Sequence, residues 1–151
     1  MRAAALALMA ASPGGAQDAR SVTYEAIECG GAALALRLLR EREADEGLQT
    51  ARAEAEAAQD AYLGIGLHSA RRTGCGMGQI TYEVGAALAS YQRLRALEAA
   101  TPDGIGFTAE TRRVEAEVET CLAERGGIES LSRLAEPRDI RGRIEPCSWR
   151  E

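Results

Sequence analysis

Apolar side chains recur at helical spacing in four stretches of the chain, and turn-forming residues separate these stretches. The first stretch extends from Val22 to Glu46 and is followed by Gly47, a residue that commonly ends a helix in the left-handed conformation. The second extends from Leu48 to about Leu63, where the inward stripe is mostly alanine and the prediction depends on helix propensity. The first half of the chain is therefore predicted to form two helices joined by a short turn.

The third stretch, residues 79–100, has the clearest amphipathic pattern in the chain. Large apolar residues face the core on most surface helices, so the spacing predicts which side chains are buried. The predicted inward stripe consists of Ile80, Val84, Leu88, Tyr91, Leu94 and Leu97. The sequence TPDG at 101–104 then predicts a turn, because Pro, Asp and Gly each favour turn conformations.

A fourth helix is predicted from Thr108, a suitable N-cap, to about Arg125, where two glycines follow. A short fifth helix is predicted over residues 128–135, before a proline. Consecutive helices with short connections pack as antiparallel neighbours. We therefore predict an all-α fold, an up-down bundle of four main helices plus a short C-terminal helix.

A glycine-rich segment, residues 64–78 with the sequence GIGLHSARRTGCGMG, is predicted to be a loop or a frayed helix end. It contains the single histidine, His68, together with Arg71 and Arg72. Glycine backbone and two guanidinium groups just before a helix can hold an anion, so these three side chains are candidate ligand-binding residues. Neither the dinucleotide-binding nor the P-loop fingerprint is present, however, and a flexible connection pinned by a disulfide explains the same residues.

The first 16 residues are typical of an export signal. Arg2 gives a short basic start, a nine-residue apolar run follows, and Gly14 and Ala16 are small residues that suit a signal peptidase. The apolar run is too short to span a bilayer, and no later segment approaches the necessary length. We therefore predict cleavage near Ala16 and a single mature domain, residues 17–151, that is periplasmic or secreted.

Export determines how the four cysteines, Cys29, Cys75, Cys121 and Cys147, are interpreted. An even number of cysteines in an oxidising compartment predicts two disulfides, and the absence of a C-x-x-C unit argues against a zinc or redox site. Spacing alone does not determine the pairing. We favour Cys29 with Cys75 and Cys121 with Cys147, and the predicted bundle gathers the cysteines at one end. Neither a metal nor a cofactor is expected.

The composition predicts a thin hydrophobic core. Aromatic residues make up 4% of the chain, and much of the 46% hydrophobic fraction is alanine. A buried alanine contributes little transfer free energy, whereas a buried leucine contributes about 1.5–3 kcal/mol. Disulfides are therefore expected to contribute a large share of the stability.

Charge and residue content narrow the possible functions. The formal net charge is −5 and the charges are interspersed, so the chain lacks the basic face that binds nucleic acid. Every basic side chain is arginine, which excludes any mechanism that needs a catalytic lysine.

Two hypotheses of function follow. The first is a non-catalytic interaction module that binds another envelope or secreted protein, and it depends mainly on the absence of convergent catalytic groups. The second is an enzyme or a small-anion binder that uses His68, Arg71 and Arg72 in the segment 64–78. A concave pocket lined by these three side chains would favour the second hypothesis.

Overall fold

The computed structural model describes residues 19–73, 79–104 and 107–127. Within these ranges it contains four helices and no strand: α1 Ala19–Asp45, α2 Gln49–Arg72, α3 Gln79–Ala100 and α4 Phe107–Ala123. The prediction of an all-α fold is confirmed. The predicted signal, residues 1–16, the predicted fifth helix, residues 128–135, and Cys75 and Cys147 lie outside the described residues.

Most helix boundaries agree with the sequence pattern. The bounds of α3 are those predicted, and α1 ends two residues before Gly47, whose φ of 102° is the left-handed conformation expected after a helix. The turn at 101–104 is also present, with Gly104 at φ 72°. Helix α4 begins at Phe107, so Thr108 lies inside the first turn and is not the N-cap.

Helix α1 is the centre of the described structure. It contacts each of the other three helices, most extensively α2, then α3 and then α4. Arg37 of α1 donates a hydrogen bond to Gln59 of α2, and Gly31 of α1 faces Ala89 of α3. The core therefore lies on the faces of α1 and not in a space shared equally by four helices.

Small residues make up most of this core. The fully buried positions include Ala26, Ala32 and Ala33 of α1 and Ala86 of α3. A Cβ atom built on Gly31 would lie 2.5 Å from the Cβ of Ala89, so α1 and α3 approach too closely for a larger side chain between them. The predicted alanine-rich core is present, and close helix contact compensates in part for the small buried side chains.

The segment from residue 64 is predicted to be a loop or a frayed helix end, and the loop is wrong up to Arg72, because α2 continues without interruption to that residue. Gly66 lies inside the helix, where a Cβ atom would come within 2.5 Å of Cε1 of Tyr82. A glycine in a helix interior is unfavourable by about 1 kcal/mol, but here it leaves space for a buried aromatic ring. The remaining part of the segment, residues 74–78, lies outside the described residues.

The predicted inward stripe of α3 is mostly wrong. Four of its six members face solvent, with exposed fractions of 75% for Ile80, 63% for Val84, 57% for Leu88 and 59% for Tyr91. Leu97 is buried and Leu94 is partly buried, as predicted. The inward residues are instead Tyr82, Ala86, Ala89, Ser90 and Leu97. Where α3 passes closest to α1, at Gly31, it buries the small residues Ala89 and Ser90, because the observed separation leaves no space for a larger side chain there.

The favoured disulfide pairing is also wrong. A disulfide joins Cys29 of α1 to Cys121 of α4, with the two Cα atoms 5.9 Å apart. Helix α4 packs along α1, so these two cysteines meet although 92 residues separate them in the sequence. The predicted gathering of all four cysteines at one end stays a prediction, because Cys75 and Cys147 lie outside the described residues. We call the region around Cys29 and Cys121 the disulfide pole.

Ion pairs connect α1 to the other three helices. The Arg93 guanidinium of α3 contacts Glu28 of α1 at 2.9 Å and Glu117 of α4 at 2.5 Å. Arg40 of α1 contacts Glu54 of α2 at 3.1 Å and Glu115 of α4 at 3.0 Å. Both arginine side chains are largely buried, so these bridges are less screened by water than ordinary surface pairs.

Candidate functional site

Arg125 lies at the disulfide pole, one helical turn after Cys121. Its Nη1 donates a hydrogen bond of 2.8 Å to the carbonyl of Cys121 and lies 3.6 Å from Sγ of Cys29. The Arg125 side chain is only 7% exposed, and its nearest carboxylate oxygen, on Glu124, is 3.9 Å away. Its Nε is buried and has no hydrogen-bond partner among the described residues.

A pocket of about 640 Å³ opens beside this guanidinium. It lies where α1, the end of α2 and the end of α4 meet. The residues that line it are Tyr24, Glu25, Glu28, Cys29, Arg72, Glu124 and Arg125. Two cations and three carboxylates therefore surround one concave site, a size and polarity that suit a small polar ligand.

Burial lowers the pKa of the Arg125 guanidinium, and nearby Arg72 acts in the same direction. Glu124 and Glu25 oppose this effect without cancelling it. A lowered pKa means that the site disfavours the positive charge of Arg125 relative to water. A ligand anion placed against the guanidinium would remove that disadvantage.

The structure brings together only part of the predicted site. Arg72 lines the pocket, whereas His68 is a partly buried residue of α2 and is not among the pocket-lining residues. The side chain of Arg71 lies outside the described residues. Arg125 was not among the predicted site residues, although an arginine one turn after a cysteine near a predicted helix end is a usable signal.

A second concavity, between α1 and α2, is a weaker candidate. It has a volume of about 690 Å³ and contains charges of both signs. Its central arginine, Arg37, already contacts Glu41 at 2.7 Å and Gln59 at 2.7 Å. Because the protein satisfies this guanidinium itself, the groove offers a ligand less than the pocket at the disulfide pole.

The two buried tyrosines next to the pole support the fold. Tyr62 and Tyr82 stack with ring centroids 5.1 Å apart, and the Tyr82 hydroxyl donates a hydrogen bond to the carbonyl of Tyr62. Burial, with a contribution from Glu83, raises the pKa of Tyr62 to about 12. Burial also raises the pKa of Tyr82 well above its ordinary value. Both side chains stay neutral at physiological pH and act as packing groups.

The second prominent surface is the outer face of α3, which we define by Ile80, Val84, Leu88 and Tyr91. These residues recur every three to four positions and form one stripe over three helical turns. After the stripe, Arg95 and Glu98 contact each other at 3.6 Å. An apolar stripe this exposed is typical of a surface that binds another polypeptide.

Other classes of site are not seen in the described ranges. Residues 19–73, 79–104 and 107–127 contain no group of three His, Cys, Asp or Glu side chains that could hold a metal ion. None of the four helices they form is long and apolar enough to cross a bilayer.

Comparison of the chain with protein-family models, with curated proteins and with solved structures gives no match.

Proposed function

We propose that this protein is an exported, non-catalytic interaction module and that the outer face of α3 is its contact surface. The supporting observation is that α3 buries alanines and exposes large apolar side chains, the reverse of what is usual for a surface helix. Ile80, Val84, Leu88 and Tyr91 are each more than half exposed. Leaving four large apolar side chains in water is unfavourable unless something covers them.

The occupant that we propose is a second copy of this chain. The stripe contains no charged residue at its centre, so two copies can meet there across a two-fold axis without like-charge repulsion. Its four side chains expose on the order of 500 Å², at the upper end of what a monomer usually presents. Two such faces would remove on the order of 1,000 Å² from water, about the lower limit for a specific interface.

Sedimentation equilibrium of the purified exported chain tests this proposal. We expect a dimer for the unmodified protein and a monomer for the double variant Val84→Gln, Leu88→Gln. Leu48→Gln is the matched control, because Leu48 is 49% exposed and lies outside α3. It should leave the dimer intact.

Two results would contradict the proposal. One is a monomer for all three proteins up to about millimolar concentration, the range in which weak interfaces still form. The other is a monomeric double variant that also melts at a lower temperature when dilute, since that would mean that part of the same chain covers the face.

We also propose export after cleavage near Ala16. The signal-like pattern of residues 1–16 supports it, and so does the Cys29–Cys121 disulfide, because such bonds persist mainly in oxidising compartments. Mass spectrometry of the protein from a periplasmic fraction should find Gln17 at the amino terminus. An intact Met1 on protein that remains in the cytoplasm would contradict export.

We infer that the two other cysteines, Cys75 and Cys147, form a second disulfide and that the helices make an up-down bundle. The pairing follows by elimination, since Cys29 and Cys121 are joined to each other. Residue numbers along α2 decrease as those along α1 increase, from Arg37 beside Gln59 to Arg40 beside Glu54, which supports alternating helix directions. A non-reducing peptide map should contain one cross-linked fragment with Cys75 and Cys147.

A further inference from the structure

Among the described residues, the Arg125 guanidinium is the least compensated of the buried cations. Arg40 and Arg93 are 13% and 23% exposed, and each contacts carboxylates of two or more residues within 3.1 Å. Arg125 is less exposed, at 7%, yet its nearest carboxylate is 3.9 Å away on Glu124, which is itself 67% exposed. A buried charge is expensive unless it is paired, so the surroundings of Arg125 are incomplete without an anion.

We propose that the pocket at the disulfide pole binds a small zwitterion, such as a free amino acid or a dipeptide, through the carboxylate of the ligand. Nη1 of Arg125 is held by the Cys121 carbonyl, which fixes the plane of the guanidinium. Its buried Nε has no hydrogen-bond partner among the described residues, and the pocket lies against this arginine. The Nε and Nη2 edge of a guanidinium is a fork that matches the two oxygens of a carboxylate.

The other charges in the pocket favour a zwitterion over a simple anion. Glu28 is already paired with Arg93, which leaves Glu25 and Glu124 to face Arg72 and Arg125. The remaining pocket charges therefore balance, and a phosphate or sulfate would be repelled by the carboxylates of Glu25 and Glu124. A ligand with an ammonium group beside its carboxylate would satisfy both signs.

This proposal is independent of the outer face of α3, because none of the four residues of that face lines the pocket. Loss of dimerisation would leave ligand binding unchanged, and loss of ligand binding would leave dimerisation unchanged. The two proposals can therefore fail separately.

Calorimetry with L-alanyl-L-alanine, L-alanine, acetate, methylamine and inorganic phosphate as separate probes tests the inference on the full exported chain. We expect saturable binding of the dipeptide or the amino acid, acetate weaker by about tenfold or more, and no saturation with methylamine. The Arg125 Nε–H resonance in ¹H–¹⁵N spectra should shift with the zwitterion. Phosphate binding more tightly than the zwitterions would overturn the proposed ligand class.

Three substitutions test whether the ligand binds in the pocket at the disulfide pole. Arg125→Lys keeps the charge but removes the fork, and it should weaken zwitterion binding by about tenfold or more. Glu25→Gln, at an exposed position, should reduce the preference for the dipeptide over acetate, because it removes a partner of the ligand's ammonium group and a charge that repels acetate. Arg112→Gln, on the exposed side of α4, is the matched control and should have no effect.

Either of two results would overturn the proposal. One is the absence of saturable binding of every probe to a folded protein. The other is zwitterion binding that Arg125→Lys and Glu25→Gln both leave unchanged.

Discussion

The ring of Tyr82 lies in a slot between α1 and α2 that two glycines leave open. A Cβ atom on Gly30 would lie 2.5 Å from the Tyr82 hydroxyl oxygen, and one on Gly66 would lie 2.5 Å from Cε1. The slot also places the Tyr82 hydroxyl against the carbonyl of Tyr62. Residues that look like helix breakers in the sequence are thus part of the tightest packing in the fold.

Replacement of Gly66 by alanine should therefore destabilise the protein despite the higher helix propensity of alanine. We expect a loss of about 1–3 kcal/mol in the free energy of unfolding, because the new methyl group overlaps the ring. Urea unfolding measures it, and the same substitution in a Tyr82→Leu background is the control. An equal loss in both backgrounds would show that the ring is not the cause.

The buried tyrosines predict alkaline sensitivity. An unfolded tyrosine ionises near its ordinary pKa of 10.0, whereas the pKa of folded Tyr62 is about 12 and that of Tyr82 is well above 10.0. Above about pH 10 the unfolded chain releases protons that the native protein retains, so the free energy of unfolding falls as the pH rises. The stability that the two buried neutral tyrosines provide is fully present below about pH 10, because tyrosine is protonated there in both the folded and the unfolded chain.

Urea unfolding between about pH 8 and about pH 11 tests this, with a slope that approaches about 1.4 kcal/mol per pH unit for each tyrosine above pH 10. Tyr82→Phe should reduce the slope, because one of the two groups is removed. A slope that is identical in the variant and the unmodified protein would be inconsistent with buried ionisation.

The positions of the helices could be predicted from the sequence more reliably than the faces that the helices bury. The bounds of α3 follow from its periodicity, but its inward face does not, because the prediction assumes that the largest apolar residues are buried. The separation of α1 and α3, set by Gly31 against Ala89, selects small residues instead. Such a separation depends on a distant partner helix, and nothing local in residues 79–100 specifies it.

The candidate site likewise combines residues that are distant in the sequence. Arg72 was identified from its place in the glycine-rich segment, but Arg125 and Glu25 come from other helices. These side chains line one pocket because α4 runs along α1 and Cys29 pairs with Cys121. The spacing of the cysteines does not determine this pairing.

Two neighbouring residues test the orientation of α3. Leu88→Ala should change the free energy of unfolding of the dilute protein by less than about 0.5 kcal/mol, because Leu88 is 57% exposed. Ala89→Leu should cost about 1–3 kcal/mol, because Ala89 is 4% exposed and faces Gly31. Thermal or urea unfolding gives both values. The reverse ranking would mean that α3 presents its other face to α1.

At the scale of the whole molecule, one disulfide compensates for a core made largely of alanine. The Cys29–Cys121 bond connects positions 92 residues apart, and closing a loop of that length contributes about 4–5 kcal/mol in the chain-entropy account. Hydrophobic burial would need about two or three more buried leucines to stabilise the fold by the same free energy.

The double variant Cys29→Ser, Cys121→Ser should accordingly melt on the order of 10–20 °C below the unmodified protein. Scanning calorimetry at neutral pH measures the shift, and the double variant Cys75→Ser, Cys147→Ser provides the comparison. A melting temperature within a degree or two of the unmodified protein would refute the stabilising role of the bond.

In the proposed dimer, the outer face of α3 binds the same face of a second copy. Isotope-filtered NMR on a sample mixed from methyl-labelled and unlabelled protein can detect this contact. We expect intermolecular contacts from the methyl groups of Ile80, Val84 and Leu88 to α3 of the other copy, and none from the control methyl groups of Leu48. Resolved methyl signals without intermolecular contacts at about millimolar concentration, or contacts centred on another helix, would contradict it.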